Sequence, residues 1–351
     1  MRKADHGTEP VAAVPTIAID AMGGDFAPGE IVAGAIQALE KAHGGVRLTL
    51  VGRDEEIRRA LEPFGAKARD GLTIVHAEET VSMSDGVSVL RRKRDSSLAV
   101  AIELQRRHEA DATVSAGNTG AGMALSLLTL GRIPGVSRPA IACPLPTSTG
   151  ACTLLDVGAN SACKPENLYE FAVMGSIHHA SAYGVERPRI GLLSIGEESS
   201  KGDSLVQEAH ALLAGSSLNF IGNVEGRDIF PGNVDVVVCD GFTGNVILKF
   251  AESMPRFFGG VLRQEINASI INKIGAFLMR GAFDRMKRRL DWQEFGGAPL
   301  LGIDGITIIC HGRSQAKAIS SAVRVAANAV RNGMNSHIKA ELEKVQVHAT
   351  M

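Results

Sequence analysis

Seven short stretches of this chain carry residues suited to holding an anion. They are DAMGGD (20–25), SAGNTGAG (115–122), DVGAN (156–160, followed by Lys164 and Pro165), GEESSKGD (196–203), GNVEGRD (222–228), DGFTGN (240–245) and HGRS (311–314). Each follows a short apolar run, and most lead into helical sequence. Glycine permits backbone conformations closed to other residues and lets a ligand approach closely. A helix N-terminus adds unpaired N–H groups and the positive end of the helix dipole. One such turn is a tight turn and no more. Seven of them, expected along one edge of one sheet, indicate a phosphate-type site.

Other chemistries are poorly supported. No GxGxxG with a later acidic residue follows the first strand, and no GxxxxGK[ST] occurs. No His or carboxylate cluster has metal-ligand spacing, and Glu197 and Glu198 are adjacent and diverge, so neither metal nor cofactor is expected. There is no GxSxG elbow. Cys310 and His311 are neighbours on a strand and point to opposite faces, so they cannot act as nucleophile and base. The five cysteines (143, 152, 163, 239, 310) form no CxxC and read as small core residues in a reducing compartment. A site of this composition works by positioning and electrostatics, without a covalent intermediate.

The elements that must position these loops alternate. Ten strand candidates begin at TIAID (16–20) and end at GITIICHG (305–312), with helical periodicity between most of them. The strands are apolar on both faces. The expected fold is α/β, a large mostly parallel sheet with helices on both faces, in two intertwined lobes around a cleft. Residues 1–15 are expected to be a loose tail, 16–340 a single two-lobed domain and 341–351 a second tail. Residues 250–295 offer no strand and read as an inserted helical hairpin. With 351 residues and a net charge of −1, the chain can bury a large core but lacks the basic surface of a nucleic-acid binder. Neither a signal peptide nor a membrane span is legible, and a cytoplasmic location is expected.

Eight motifs stand in an order that resembles one family: DAMGGD, SAGNTGA, GxxRPAIACPLP (135–146), LLDVGAN with KPENLYEFAVMG (154–175), GEESSKG, NFIGNVEGRDI, DVVVCDGFTGNVILK (235–249) and GGAPLLGIDG…HG (296–312). Over about residues 16–335 the chain resembles the bacterial phosphate acyltransferases of phospholipid synthesis. The resemblance implies a fold like isocitrate and isopropylmalate dehydrogenases and phosphotransacetylases. It also implies a homodimer, loosely membrane-associated, that moves a fatty acyl group from acyl carrier protein to inorganic phosphate. The acyl phosphate would then feed the membrane glycerol-3-phosphate acyltransferase. One departure is Ala162, where relatives often carry Asp.

Chemistry of that kind assigns roles by residue type. Gly23, Gly24, Asn118 and Thr119 are expected to hold phosphate, and Lys201 to supply positive charge. Asn160 and Asn245 are candidate donors to the oxyanion, while Asp240 or His311 orients phosphate or handles a proton. Asp20 is expected to brace the glycine turn. A short-chain phosphotransacylase using coenzyme A is the nearest alternative, and a non-catalytic protein that binds acyl carrier protein or membrane is another. A metal- and nicotinamide-dependent dehydrogenase of the same fold would need an acidic cluster that is not legible here.

The helical stretch SIINKIGAFLMRGAFDRMKRRL (269–290) adds a docking candidate. Ile270, Ile274, Phe277 and Leu278 fall at helical spacing, flanked by Lys273, Arg280, Arg285, Lys287, Arg288 and Arg289 against Asp284 alone. A basic amphipathic helix can lie in a membrane interface, and its charge also suits the acidic acyl carrier protein. A dimer interface or ordinary packing is the plainer reading of the apolar stripe.

Overall fold

The computed structural model describes residues 14–349 apart from 66–69, 87, 88 and 91. The tail expected at 1–15 therefore lies, up to residue 13, outside the described residues. The first half of the chain runs β1 (Thr16–Asp20), α1 (Gly29–Ala42), β2 (Arg47–Gly52), α2 (Asp54–Leu61), β3 (Leu72–His76), α3 (Ser97–Arg106), β4 (Ala112–Ser115), α4 (Thr119–Leu130) and β5 (Ala140–Pro146). Next come β6 (Ala151–Leu155), α5 (Pro165–Tyr183), β7 (Ile190–Leu193), α6 (Ser204–Ala214), β8 (Phe220–Val224), α7 (Gly226–Ile229) and β9 (Val236–Val238). Three helices follow, α8 (Gly241–Asn267), α9 (Ile270–Leu278) and α10 (Arg280–Arg289), before β10 (Ala298–Leu301), β11 (Thr307–Ile309), α11 (Ala316–Arg331) and α12 (Met334–Ala349).

One eleven-stranded sheet results, in the order β3-β2-β1-β4-β11-β10-β5-β6-β9-β7-β8. The central strands are buried on both faces: Ile17, Ala18 and Ile19 are all fully enclosed. Burying each isoleucine contributes roughly 1.5–3 kcal/mol. Helices α1 and α11 pack so closely that a Cβ on Gly34 would stand 2.5 Å from Ile319 Cβ. Their N-termini are fixed together, because Glu30 Oε2 accepts from Ala316 N at 2.7 Å.

The sheet is mostly parallel, but its two halves run in opposite senses. β1 is parallel to β2 and β4, and β4 to β11. β10 is antiparallel to both β11 and β5, and β5 is antiparallel to β6. From β6 outward, β9, β7 and β8 are again parallel to one another. The reversal comes from TSTG (147–150), the four residues between β5 and β6. A link that short can join only antiparallel strands, because a parallel crossover needs a dozen residues or more. The seven loops therefore do not share one ladder edge. β10, whose Ala-Pro-Leu-Leu lacks β-branched residues, is the strand that pattern reading omits.

The stretch expected as a hairpin at 250–295 is instead three helices, and it begins earlier. Helix α8 starts at Gly241, as the direct continuation of β9, with Asp240 as its N-cap. Ile247, Leu248 and Ala251 pack against the core near β6 and β9, which ties the first turns of α8 to the sheet. Helices α9 and α10 bury no residue at all. At the other end the chain stays helical through 341–349, and Leu342 is buried, so this segment is no loose tail. Among the described residues no helix is long and apolar enough to cross a membrane.

Candidate active site

Strand direction divides the candidate residues into two clusters. The first stands at the C-terminal ends of β1, β4 and β11. Asp20 ends β1 almost completely buried, accepting from Ser115 Oγ at 2.7 Å and from Met22 N at 3.3 Å. Burial pushes its carboxyl above the usual range, against the pull of those hydrogen bonds. It braces the turn, as expected. A Cβ on Gly23 would stand 2.8 Å from Gly117 N, so the two glycine turns are in contact. Gly24 has φ +105° and sits against Gly312 O, which also accepts from Asp25 N at 2.8 Å. The loops after β1, β4 and β11 are thereby stapled into one unit containing Gly23, Gly24, Asn118, Thr119 and His311.

Within it, Asn118 has little left to offer a ligand. Its Oδ1 caps α4 by accepting from Ala121 N at 3.0 Å. Its Nδ2 points at the carbonyls of Ser82, Met83 and Asp85 at 3.1–3.2 Å. Thr119 and Gly120, by contrast, are exposed in the first turn of α4, with N–H groups outside the helix ladder. His311 is exposed, and its Nδ1 accepts from Arg313 N at 3.0 Å, which leaves the proton of the neutral ring on Nε2.

The second cluster stands at the C-terminal ends of β6, β9, β7 and β8. Asp156 organises it. Its Oδ1 accepts from Ile141 N, Gly158 N and Ala159 N at 3.0–3.1 Å, and its Oδ2 from Asn160 N at 2.7 Å and Asn160 Nδ2 at 2.9 Å. Asn160 Nδ2 also donates to Pro139 O at 2.7 Å, so both of its amide hydrogens are engaged away from any oxyanion. Asp240 is similarly occupied: Oδ1 accepts from Phe242 N and Thr243 N, and Oδ2 from Thr243 Oγ1 at 2.6 Å. It is a helix cap, and a proton-transfer role would require breaking that cap.

Two candidates here remain unengaged. Asn245 is exposed on the first turns of α8, its amide against Gly158, and its side chain has no hydrogen-bond partner among the described residues. Lys201 is exposed in the loop after β7, packed by its stem against Gly196, with an amino group in no ion pair among the described residues. Arg227, by contrast, pairs with Glu197 and Glu225 at 3.0 and 3.2 Å. Ala162 is exposed between β6 and α5. Sequence reading missed Asp156 as the organiser, although its signal was present: like Asp20, it is a carboxylate placed directly after an apolar strand. Asn223 and Ser194, near the ends of β8 and β7, were also missed; Asn223 Oδ1 and Ser194 Oγ are buried with no partner among the described residues.

This two-part sheet with its glycine-rich strand ends has the fold of the phosphotransacetylases. A phosphotransacetylase from Streptococcus pyogenes superposes with a TM-score of 0.61 at 19% identity, over 90% of this chain and 94% of that one. The EutD phosphotransacetylase from Staphylococcus aureus gives 0.59 at 16% identity, over 90% and 94%. In sequence, the family described as a fatty acid synthesis protein matches residues 15–337. A phosphate acyltransferase of Heliobacterium modesticaldum is 51% identical over 94% of this chain and 99% of its own length. Another, of Geotalea daltonii, is 50% identical over 93% and 94%. The chain belongs to the phosphate acyltransferase family, a family of acyl-transferring enzymes.

Proposed function

We propose that this protein transfers a fatty acyl group from acyl carrier protein to inorganic phosphate. A phosphate oxygen attacks the thioester carbonyl, forming the C–O bond. The tetrahedral oxyanion collapses, the C–S bond breaks with its electron pair, and the thiolate leaves. Phosphate is already an anion at pH 7 and needs orientation more than deprotonation. What supports this reading best is half-identity to phosphate acyltransferases along nearly the whole chain.

The two clusters fit the reaction if they face one cleft, and sheet twist supplies a reason. From β1 to β9 there are six strand steps. At roughly 20–25° per step the strands turn by about 120–150°, which brings the C-terminal ends of these antiparallel strands to within roughly 30–60° of one direction. The glycine turns, with the N-terminus of α4 and Thr119, then hold phosphate. Lys201 and Asn245 approach from the second cluster, toward the developing oxyanion, and His311 orients phosphate. Alanine at Lys201 is expected to reduce turnover at least tenfold with no change in Tm. Alanine at Asp240 or Asn118 is expected to lower stability as well, by about 1 kcal/mol each, through the lost cap. Near-normal turnover in Lys201→Ala removes that residue from the site.

The donor and the setting belong to the same reading. The apolar residues Ile270, Ile274, Phe277 and Leu278 all project into solvent, Phe277 with 72% and Leu278 with 78% of its surface exposed. Arg280, Arg285, Lys287 and Arg288 stand on the adjoining α10. An apolar tip beside a cationic helix suits peripheral docking to an anionic membrane, where the acyl phosphate would be handed to glycerol-3-phosphate acyltransferase. A second stripe on α8, Phe242, Val246, Phe250 and Phe257, is equally exposed and suits a homodimer. Wild-type protein is expected to float with anionic vesicles and Phe277→Asp is not; equal flotation sinks membrane docking by this tip.

Trapping the product with hydroxylamine tests the reaction itself. Phosphate-dependent hydroxamate from palmitoyl-acyl carrier protein, and not from palmitoyl-coenzyme A, is expected. The reverse preference makes the protein a coenzyme A phosphotransacylase. No product from either donor leaves a binding protein.

A further inference from the structure

The loop that carries Lys201, residues 196–203, is held on both sides of the lysine. On one side stands Asn223, near the end of β8 and only 5% exposed. Its Nδ2 donates to Glu198 O at 2.8 Å, and the same carbonyl accepts from Lys201 N at 3.0 Å. One oxygen thus joins a buried strand-end amide to the backbone of the lysine. On the other side Gln207, in the first turns of α6, donates from Nε2 to Ser200 O at 2.9 Å and to Gly202 O at 3.0 Å.

The lysine stem is guided as well. A Cβ on Gly196 would stand 2.9 Å from Lys201 Cγ and 3.4 Å from its Cδ. Gly196 is buried and its φ lies outside the left-handed region, so the turn alone does not call for glycine. What the missing side chain leaves room for is the stem of Lys201. Stability does not account for Asn223 either. Its Oδ1 is buried with no partner among the described residues, and an unpaired buried acceptor is a cost to the folded state. The gain from an amide at this position is the bond that its Nδ2 makes to the loop.

We propose that Asn223 and Gly196 are positioning residues for Lys201. Asn223 sets the loop through Glu198 O, and Gly196 sets the path of the stem. Together they fix where the amino group stands when the oxyanion develops. This assignment rests on the reading of Lys201 as the cation of the acyl-transfer site.

In the hydroxamate assay with palmitoyl-acyl carrier protein, Asn223→Ala and Gly196→Ala are each expected to lower kcat at least fivefold. KM for phosphate is expected to stay within twofold of wild type. A residue that acts through Lys201 has nothing to position once the lysine is gone. Either substitution added to Lys201→Ala is therefore expected to lower kcat by less than a further twofold. Hydrogen exchange reads the loop without turnover: amides of 197–203 are expected to exchange at least tenfold faster in Asn223→Ala, with those of β7 and β9 unchanged. Gly196→Ala opens no cavity and decides the matter if Asn223→Ala does not fold. Losses that multiply with that of Lys201→Ala, unchanged kcat in either folded variant, or unchanged exchange in Asn223→Ala overturn the proposal. Near-normal turnover in Lys201→Ala overturns it by removing the lysine from the site, and no acyl phosphate from wild type with any donor removes the reaction itself. In both of those cases the exchange result still shows whether Asn223 holds the loop.

Discussion

Asp156→Ala is expected to lose about 4 kcal/mol of stability and to abolish acyl transfer. The carboxylate accepts five hydrogen bonds from the loop it begins and from β5, on donors that are mostly buried. Removing it strands those donors, and each buried donor left unsatisfied costs roughly 1–3 kcal/mol, less what solvent and relaxation recover. No side chain can refill the space from the neighbouring helix. A Cβ on Gly241 would stand 2.7 Å from Asp156 Oδ2, and one on Gly244 would overlap Asp156 O. Helix α8 therefore begins pressed against this loop, and Asn245 rides on that contact. Loss of Asp156 is expected to displace Asn245, the proposed oxyanion donor, as well as the loop. Urea unfolding gives the stability change, and the hydroxamate assay gives the activity. Asp156→Asn keeps one acceptor oxygen and is expected to fall between the two. A variant with alanine at 156 and wild-type urea midpoint would show that solvent replaces the carboxylate.

The second large effect is a dependence on pH. His178 is buried in α5, and its ring is pushed from 6.5 down to about 4 by burial, with the adjacent His179 adding to the shift. The unfolded chain protonates this ring near pH 6.5 and the folded chain only near 4. Between those values the unfolded state binds more protons, so stability falls as pH falls through that window. The full loss by pH 4 is on the order of 3 kcal/mol. His179, also lowered by burial, acts in the same direction. Carboxylates held low by a partner, such as Glu103 beside Arg106, lose their stabilisation only at lower pH, as they protonate. Comparing wild type with His178→Leu cancels those contributions. Unfolding free energies at pH 7 and pH 4.5 are expected to differ by about 2–3 kcal/mol less in the variant than in wild type. Parallel pH profiles would mean that the folded protein admits a charged ring at 178.

Much of this was written in local pattern. Runs such as TIAID and DVVVCDG declare strands buried on both faces because their central residues are apolar on consecutive positions, and structure places β1 and β9 there. The glycines and the carboxylates after those strands mark the turns. The eight ordered motifs were enough for the family. The helical character of 250–289 and its exposed apolar and basic residues were likewise legible, because helix periodicity is a property of neighbours three and four apart.

What the chain alone could not display was direction and engagement. Periodicity is identical for a strand running either way, so only the sheet revealed that β6 to β9 oppose β1 and β4, although the four-residue link TSTG hinted at it. Nor does residue type say whether a polar side chain is available. Asn118 is used up by carbonyls more than thirty positions away, and Asn160 by Pro139 O across 21 residues. Lys201 and Asn245 keep their donors because, among the described residues, no distant group accepts a hydrogen bond from them. Sequence determined which kinds of group stand at each strand end, since that depends on local order. Tertiary structure decided which of those groups are still available for chemistry, because a hydrogen bond satisfied from a remote segment leaves no trace in the order of the residues.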